Sequence, residues 1–222
     1  KPIVVVLMNG RPLAIPELDE QANAILEAWF AGTMAGHAIT DILYGDYKPS
    51  GKLVMTFPRN VGQVPIHYNM KNTGRPFEAN NKYTSKYLDV ANTPLYPFGY
   101  GLSYTQYKYA DLKLSKSKFA MNDSLRISIT VTNSGQRDGE EVVQLYIQDL
   151  VGSLTRPVKE LKGFNKVMLK AGESKTLSFT IDADDLAFYN RDMVNQAEPG
   201  MFKVFAGGSS ISGLEGSFEL VK

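Results

Sequence analysis

The second half of the chain is written in a period of two. Leu125-Arg126-Ile127-Ser128-Ile129-Thr130-Val131 alternates apolar and polar residues without a break. Val143–Gln148, Leu177–Ile181 and Phe202–Ala206 repeat the pattern. A strand so written buries one face and wets the other. Turn clusters separate the runs: Asn133-Ser134-Gly135, Asp138-Gly139, Ala171-Gly172, Pro199-Gly200 and Gly207-Gly208. Alternation at such spacing predicts an antiparallel β-sandwich over residues 106–222, of about seven strands.

Residues 1–105 are patterned differently. Ile3–Met8 is continuously apolar, as in a parallel strand covered on both faces. Glu17–Asn23 is polar and suits a short surface helix. Ala24–Phe30 is a second apolar run, too short for its period to separate strand from helix. Gly36–Leu43 reads as a helix, with Ala38, Ile39, Ile42 and Leu43 on one face and Gly45 as its C′ residue. Lys52–Phe57 reads as a third strand, stopped by Pro58. This β-α-β-α-β order predicts an α/β layer. The fold class expected is thus α/β plus all-β, divided at about residue 105. The strand count suits a fibronectin-type or immunoglobulin-like module, and the absence of cysteine removes the Cys–Trp–Cys signature of a true immunoglobulin domain.

Between the two patterns lies an irregular stretch, residues 59–98, rich in Asn, Pro, Gly and aromatic residues. Loops longer than about 12–15 residues are usually functional or disordered. Tyr68, Phe77, Tyr83, Tyr87, Tyr96 and Phe98 argue for order. Lining a ligand site and wrapping the scaffold are the two readings open to it.

Composition narrows the function. Lys plus Arg number 24 against 23 Asp plus Glu, so the surplus of basic residues that a nucleic-acid groove needs is missing. Apolar runs such as Ile3–Met8 fall far short of the ~20 residues of a membrane-spanning helix. There is no phosphate loop, no Gly-x-Ser-x-Gly elbow and no zinc-ligand spacing. Gly99-Tyr100-Gly101-Leu102-Ser103-Tyr104 lacks the third glycine of a dinucleotide fingerprint. No metal-ligating residue is assigned, and a structural metal stays open.

The acids nearest the irregular stretch are Asp41, Asp46 and Asp89. Asp41 reads as a solvated helix residue and Asp46 as a turn carboxylate bonding local backbone N–H groups. Asp89 lies in Lys82–Asp89, a mixture of tyrosines, lysines and hydroxyls suited either to sugar hydroxyls and sugar faces or to ordinary ion pairs. His67 reads as a loop-packing residue and Trp29 as core. Arg11 follows the first strand, where α/β sheets place ligands, and Arg75 is the more exposed arginine.

Several segments resemble the C-terminal part of family 3 glycoside hydrolases, in particular the bacterial periplasmic β-glucosidase group. They are Val5–Ala14, Ala24–Gly32, Gly45–Leu53, Asn72–Pro76, Arg156–Phe164 and the highly specific Pro94-Leu95-Tyr96-Pro97-Phe98-Gly99-Tyr100-Gly101-Leu102-Ser103-Tyr104-Thr105. The resemblance covers essentially the whole chain in order. It implies a parent of three parts: a (β/α) barrel, an α/β sandwich and a fibronectin type III-like domain. Residues 1–105 would be the C-terminal portion of the α/β sandwich domain and 106–222 the final domain. The implied activity is removal of terminal β-linked glucose with retention, without a cofactor, in the periplasm or outside the cell. No residue matches the family's nucleophile or acid/base motif, so no catalytic residue is carried over. The loop 68–89 is the candidate wall of the cleft, with Arg75, Tyr83, Lys86, Tyr87 and Asp89 as expected substrate contacts. Interdomain or subunit packing is the alternative for these residues. The expected partners are a β-linked oligosaccharide or glucoside and the barrel and sandwich segment, joined covalently or not. A homodimer stays open. The competing function is a non-catalytic carbohydrate-binding or scaffold module. The isolated first half is expected to be unstable, and the β-sandwich to fold alone.

Overall fold

The computed structural model describes all 222 residues. The first half begins with β1 (Val4–Leu7), α1 (Pro16–Gln21), β2 (Ala24–Glu27) and α2 (Ala35–Tyr44). β1 and β2 pair in parallel, with Val4 opposite Ala24 and Leu7 opposite Glu27. The ambiguous apolar run is therefore a strand. Gly45 closes α2 in the left-handed region, as expected, at φ 85°. The pair is not covered on both faces, however. No residue of α1 or α2 is buried, and each strand is at most half-buried.

The expected third strand is a correction. Lys52–Phe57 forms no strand and has a single bridge, Phe57 to Tyr96. The segment is pinned at its two ends to residues 95–100. Leu53 N–H donates to Tyr100 O at 2.8 Å, and Phe57 N–H to Tyr96 O at 2.9 Å. A continuous ladder cannot form, because Pro97 has no N–H to give and Gly99 leaves the extended region at φ 80°.

The second half is a two-layer β-sandwich. Its strands are β3 (Tyr107–Leu114), β4 (Lys118–Ala120), β5 (Ser124–Asn133), β6 (Gly139–Asp149), β7 (Glu160–Leu169), β8 (Ser174–Asp182), β11 (Gly200–Ser209) and β12 (Ser212–Val221). The turn α3 (Ala183–Leu186) and a two-stranded ribbon, β9 (Phe188–Tyr189) with β10 (Asn195–Gln196), join β8 to β11. One sheet runs β3-β5-β8 and the other β4-β12-β11-β6-β7. Eight strands thus build the two layers, where about seven were expected. The extra one is β4, three residues added in parallel to β12.

Alternation does what the sequence demanded. Leu125, Ile127, Ile129 and Val131 of β5 face Val143, Leu145 and Ile147 of β6 across a cluster of 16 buried residues, all between Phe119 and Leu220. Each fully buried side chain of this kind contributes ~1.5–3 kcal/mol. No helix is long and apolar enough to cross a membrane.

Candidate functional site

In one place β6 breaks its alternation. Val143 through Ile147 are all buried. Gln144 and Tyr146 point away from the sandwich core, so something must cover the outer face. The cover is the run Pro97–Gly101 at Gln144 and the Tyr68 ring at Tyr146. Gln144 Nε2 donates to Gly99 O at 3.0 Å and to Gly208 O at 2.8 Å, and Tyr146 donates to Gln144 Oε1 at 2.5 Å. A Cβ at residue 99 would lie 2.0 Å from Gln144 Oε1 and one at residue 101 would lie 2.4 Å from Gly51 O, so both positions require glycine.

Beside this clamp sits a buried ion pair. Lys52 Nζ lies 3.1 Å from Glu141, with side-chain exposures of 13% and 4%, and also donates to Gly101 O at 2.9 Å. Tyr109 donates to the same carboxylate at 2.7 Å, and burial followed by the Glu141 charge raises its phenol pKa. The most specific motif of the chain therefore joins two units of the fold.

The clamp and its neighbours hold the base of the irregular stretch, whose aromatic residues divide into two groups. Tyr68, Tyr96 and Phe98 pack: Tyr68 stacks on Phe98, and Tyr96 on Tyr100. The Tyr96 hydroxyl donates to Asp19, and burial is the main cause of its raised pKa. Phe77, Tyr83 and Tyr87 are exposed. Every residue from Lys71 to Asn80 is exposed as well, yet the segment is braced from within. Ser85 N–H donates to Arg75 O at 3.1 Å, Thr73 and Ser85 hydroxyls lie 3.2 Å apart, and Thr84 Oγ1 donates to Asn81 O at 2.9 Å.

Within this loop lies an open cavity of about 280 Å³, lined by Gly74, Arg75, Pro76, Glu78, Asn81, Tyr83 and Thr84. Of the five expected contacts the structure brings Arg75 and Tyr83 together here. Lys86 stays outside the lining and reaches back to Asn81 O at 3.4 Å. Tyr87 and Asp89 are exposed elsewhere on the loop. Glu78, Asn81 and Thr84 were missed by sequence reasoning. Their signal was turn chemistry, since Asn81 Oδ1 accepts from Tyr83 N–H at 3.0 Å and Thr84 Oγ1 from Glu78 N–H at 3.2 Å.

The cavity is lined by an arginine, by a carboxylate, an amide and a hydroxyl that already bond within the loop, and by Tyr83, which is 71% exposed with Lys82 Nζ 5.0 Å over its ring. That set suits polyhydroxylated ligands, and the volume is slightly below the ~300–1,000 Å³ of drug-sized sites. One carboxylate, Glu78, is present, whereas retaining hydrolysis of a glycoside needs two, ~5–5.5 Å apart.

Other expectations are corrected. His67 is exposed. Asp46 bonds no local backbone; it lines a smaller cavity of about 210 Å³ at the seam, with Tyr47, Lys48, Gly139, Glu140 and Met168. Arg11 is exposed and forms no ion pair, whereas Trp29 is half-buried against Phe57 at 6.0 Å.

Comparison with known proteins gives the family. Residues 1–104 match the glycosyl hydrolase family 3 C-terminal domain, and residues 141–210 a fibronectin type III-like domain. The chain belongs to glycoside hydrolase family 3, carrying its C-terminal domain followed by the fibronectin type III-like domain. It is 56% identical to the periplasmic beta-glucosidase of Salmonella typhimurium over 100% of this chain and 29% of that protein. It is 46% identical to a beta-xylosidase of Formosa agariphila, covering 95% of this chain and 28% of that one. The structure of a beta-glucosidase from Listeria innocua in complex with gluconolactone superposes with a TM-score of 0.95 at 44% identity, covering 100% of this chain and 31% of that one. The chain thus spans less than a third of the length of these relatives.

Proposed function

We propose that this chain is the C-terminal portion of a retaining β-glucosidase-type exo-glycosidase that removes terminal β-linked glucose from oligosaccharides in the periplasm or outside the cell. The reaction's two carboxylates belong to the remaining polypeptide of the parent, joined covalently or bound in trans. Residues 1–105 form the C-terminal portion of the α/β sandwich domain, and residues 106–222 the fibronectin type III-like domain. The loop 68–89 forms part of the cleft wall. Arg75 and Tyr83 meet an outer sugar, with hydrogen bonds from the guanidinium and stacking on the ring. Lys86, Tyr87 and Asp89 serve the same wall from outside the cavity.

The observation that carries this reading is the 56% identity across the whole chain to a beta-glucosidase of which it covers 29%. The single carboxylate of the cavity supports the division of labour.

The test is turnover of an aryl β-glucoside. The purified 222-residue chain is expected to be inert, and the complete parent active. In the parent, Arg75→Ala should raise KM for a glucose disaccharide about tenfold, the value of one charged hydrogen bond. Turnover by the purified chain, or an unchanged KM, would contradict the proposal. Saturable calorimetric binding of cello-oligosaccharides to residues 106–222 alone would instead assign sugar recognition to the β-sandwich.

A further inference from the structure

The candidate loop stands on two feet, and one of them belongs to the β-sandwich. At its start the Tyr68 ring is stacked on Phe98 at 4.3 Å and meets the edge of Tyr146 at 5.7 Å. Its hydroxyl accepts the N–H of Leu161 at 3.3 Å. Two residues on, Met70 O accepts the N–H of Val158 at 2.9 Å, and Lys71 forms an isolated antiparallel bridge with Pro157. The second foot is in the first half of the chain. Gln63 Nε2 donates to Ala91 O at 2.8 Å, and Arg59 Nε to Thr93 O at 3.1 Å. A loop braced within itself and held at both ends moves as one body, so its feet set where its side chains stand.

The receiving segment, Pro157–Leu161, is itself pinned. Just ahead of it, Arg156 donates to Glu160 at 2.7 Å, lies 3.7 Å from Asp149 and covers the Phe188 ring at 4.1 Å. Lys159 Nζ donates to Ser210 O at 2.7 Å and sits over Phe205 at 3.9 Å. Charged groups in such places have given up solvation: burial lowers the Lys159 pKa and raises that of Asp149. A connector between two antiparallel strands needs no such anchoring for its own sake. Anchoring of this kind costs desolvation and returns a defined position.

We infer that the β-sandwich positions the sugar-binding loop. The segment Arg156–Leu161 fixes Tyr68–Lys71, and through that foot it sets Arg75 and Tyr83 against the outer sugar. Tyr68 is a positioning residue and touches no sugar itself. The inference rests on the proposed role of the loop as a cleft wall.

The test uses the complete parent, with Arg75→Ala as reference. Tyr68→Ala removes both the stack and the acceptor, while Tyr68→Phe keeps the stack. In Tyr68→Ala, amide exchange across residues 72–89 should quicken about tenfold while β11 and β12 stay protected. KM for a glucose disaccharide should rise about fivefold with kcat nearly constant. Tyr68→Phe should return both readouts to within about twofold of the parent, since one neutral hydrogen bond is all it lacks. Unchanged loop exchange in Tyr68→Ala overturns the inference. So does faster exchange without a KM change while Arg75→Ala still raises KM, and in that case the cleft-wall reading survives. If neither variant moves KM, the cleft-wall reading fails and the inference falls with it. Should Tyr68→Ala lose protection throughout β11 and β12, Lys159→Met, which frees the receiving segment from Ser210, is judged by the same readouts and outcomes.

Discussion

The two halves of this chain are of similar length and bury their residues very unequally. All 16 members of the hydrophobic core cluster lie in the β-sandwich. In the first 105 residues Phe57 is the one buried large hydrophobic. Phe30 there is 84% exposed and Leu88 is 97% exposed. The β-sandwich closes two sheets over its own apolar faces. The first half has one parallel pair of four-residue strands, with helices in which no residue is fully buried. A two-stranded sheet is marginal alone in water. The difference teaches that one half holds a shape and the other lends surfaces. Its loop and many of its apolar residues are exposed, and Lys52 and Gly99 bond it to Glu141 and Gln144 of β6.

The clamp is therefore where this contrast breaks first. Gly99→Ala places a Cβ 2.0 Å from Gln144 Oε1 at a residue whose φ is 80°. It should cost roughly 2–5 kcal/mol from overpacking and the left-handed backbone together. Denaturant unfolding followed at Trp29, the single tryptophan, should report the first half loosening before the sandwich melts. A midpoint equal to the parent's would show that the clamp does not hold the halves.

A smaller effect sharpens the same contrast through pH. Glu140 of β6 accepts from Ser50 at 3.2 Å and pairs with Lys166 at 2.6 Å. The hydrogen bond from Lys166 holds its carboxyl below the usual glutamate range, and the same bond raises Lys166. A depressed carboxyl stabilises the fold above its unfolded pKa and loses that contribution as pH falls through its folded value. Stability should thus decline on acidification below the ordinary glutamate range, and less so in Lys166→Met. The difference should stay below about 1 kcal/mol, because the pair is partly exposed. Parallel pH profiles for the two proteins would show that Lys166 does not hold the Glu140 carboxyl down.

The β-sandwich was legible because alternation and turn residues point the same way. Leu125–Val131 is β5, and Asn133-Ser134-Gly135 is its turn, with Asn133 Nδ2 donating to Arg137 O at 2.7 Å. The burial of Gln144 was not legible, since its cover comes from Gly99, 45 residues away in sequence. Lys52–Phe57 misled for a similar reason: its apolar content suits a strand, but the partner segment contains Pro97 and Gly99. Arg75 and Tyr83 were readable as exposed polar and aromatic residues. Their separation from Tyr87 and Asp89 depends on the turn around Asn81, which residue type alone does not place. Family likeness supplied the rest, and Pro94–Thr105 marked the family through a structural clamp.

Scanning calorimetry of the two halves made separately tests the division most directly. Residues 106–222 should melt in one cooperative transition, and residues 1–105 should show none. A sharp, reversible endotherm from residues 1–105 alone would mean that the first half holds its own shape, and the account of it as a surface completed by others would be wrong.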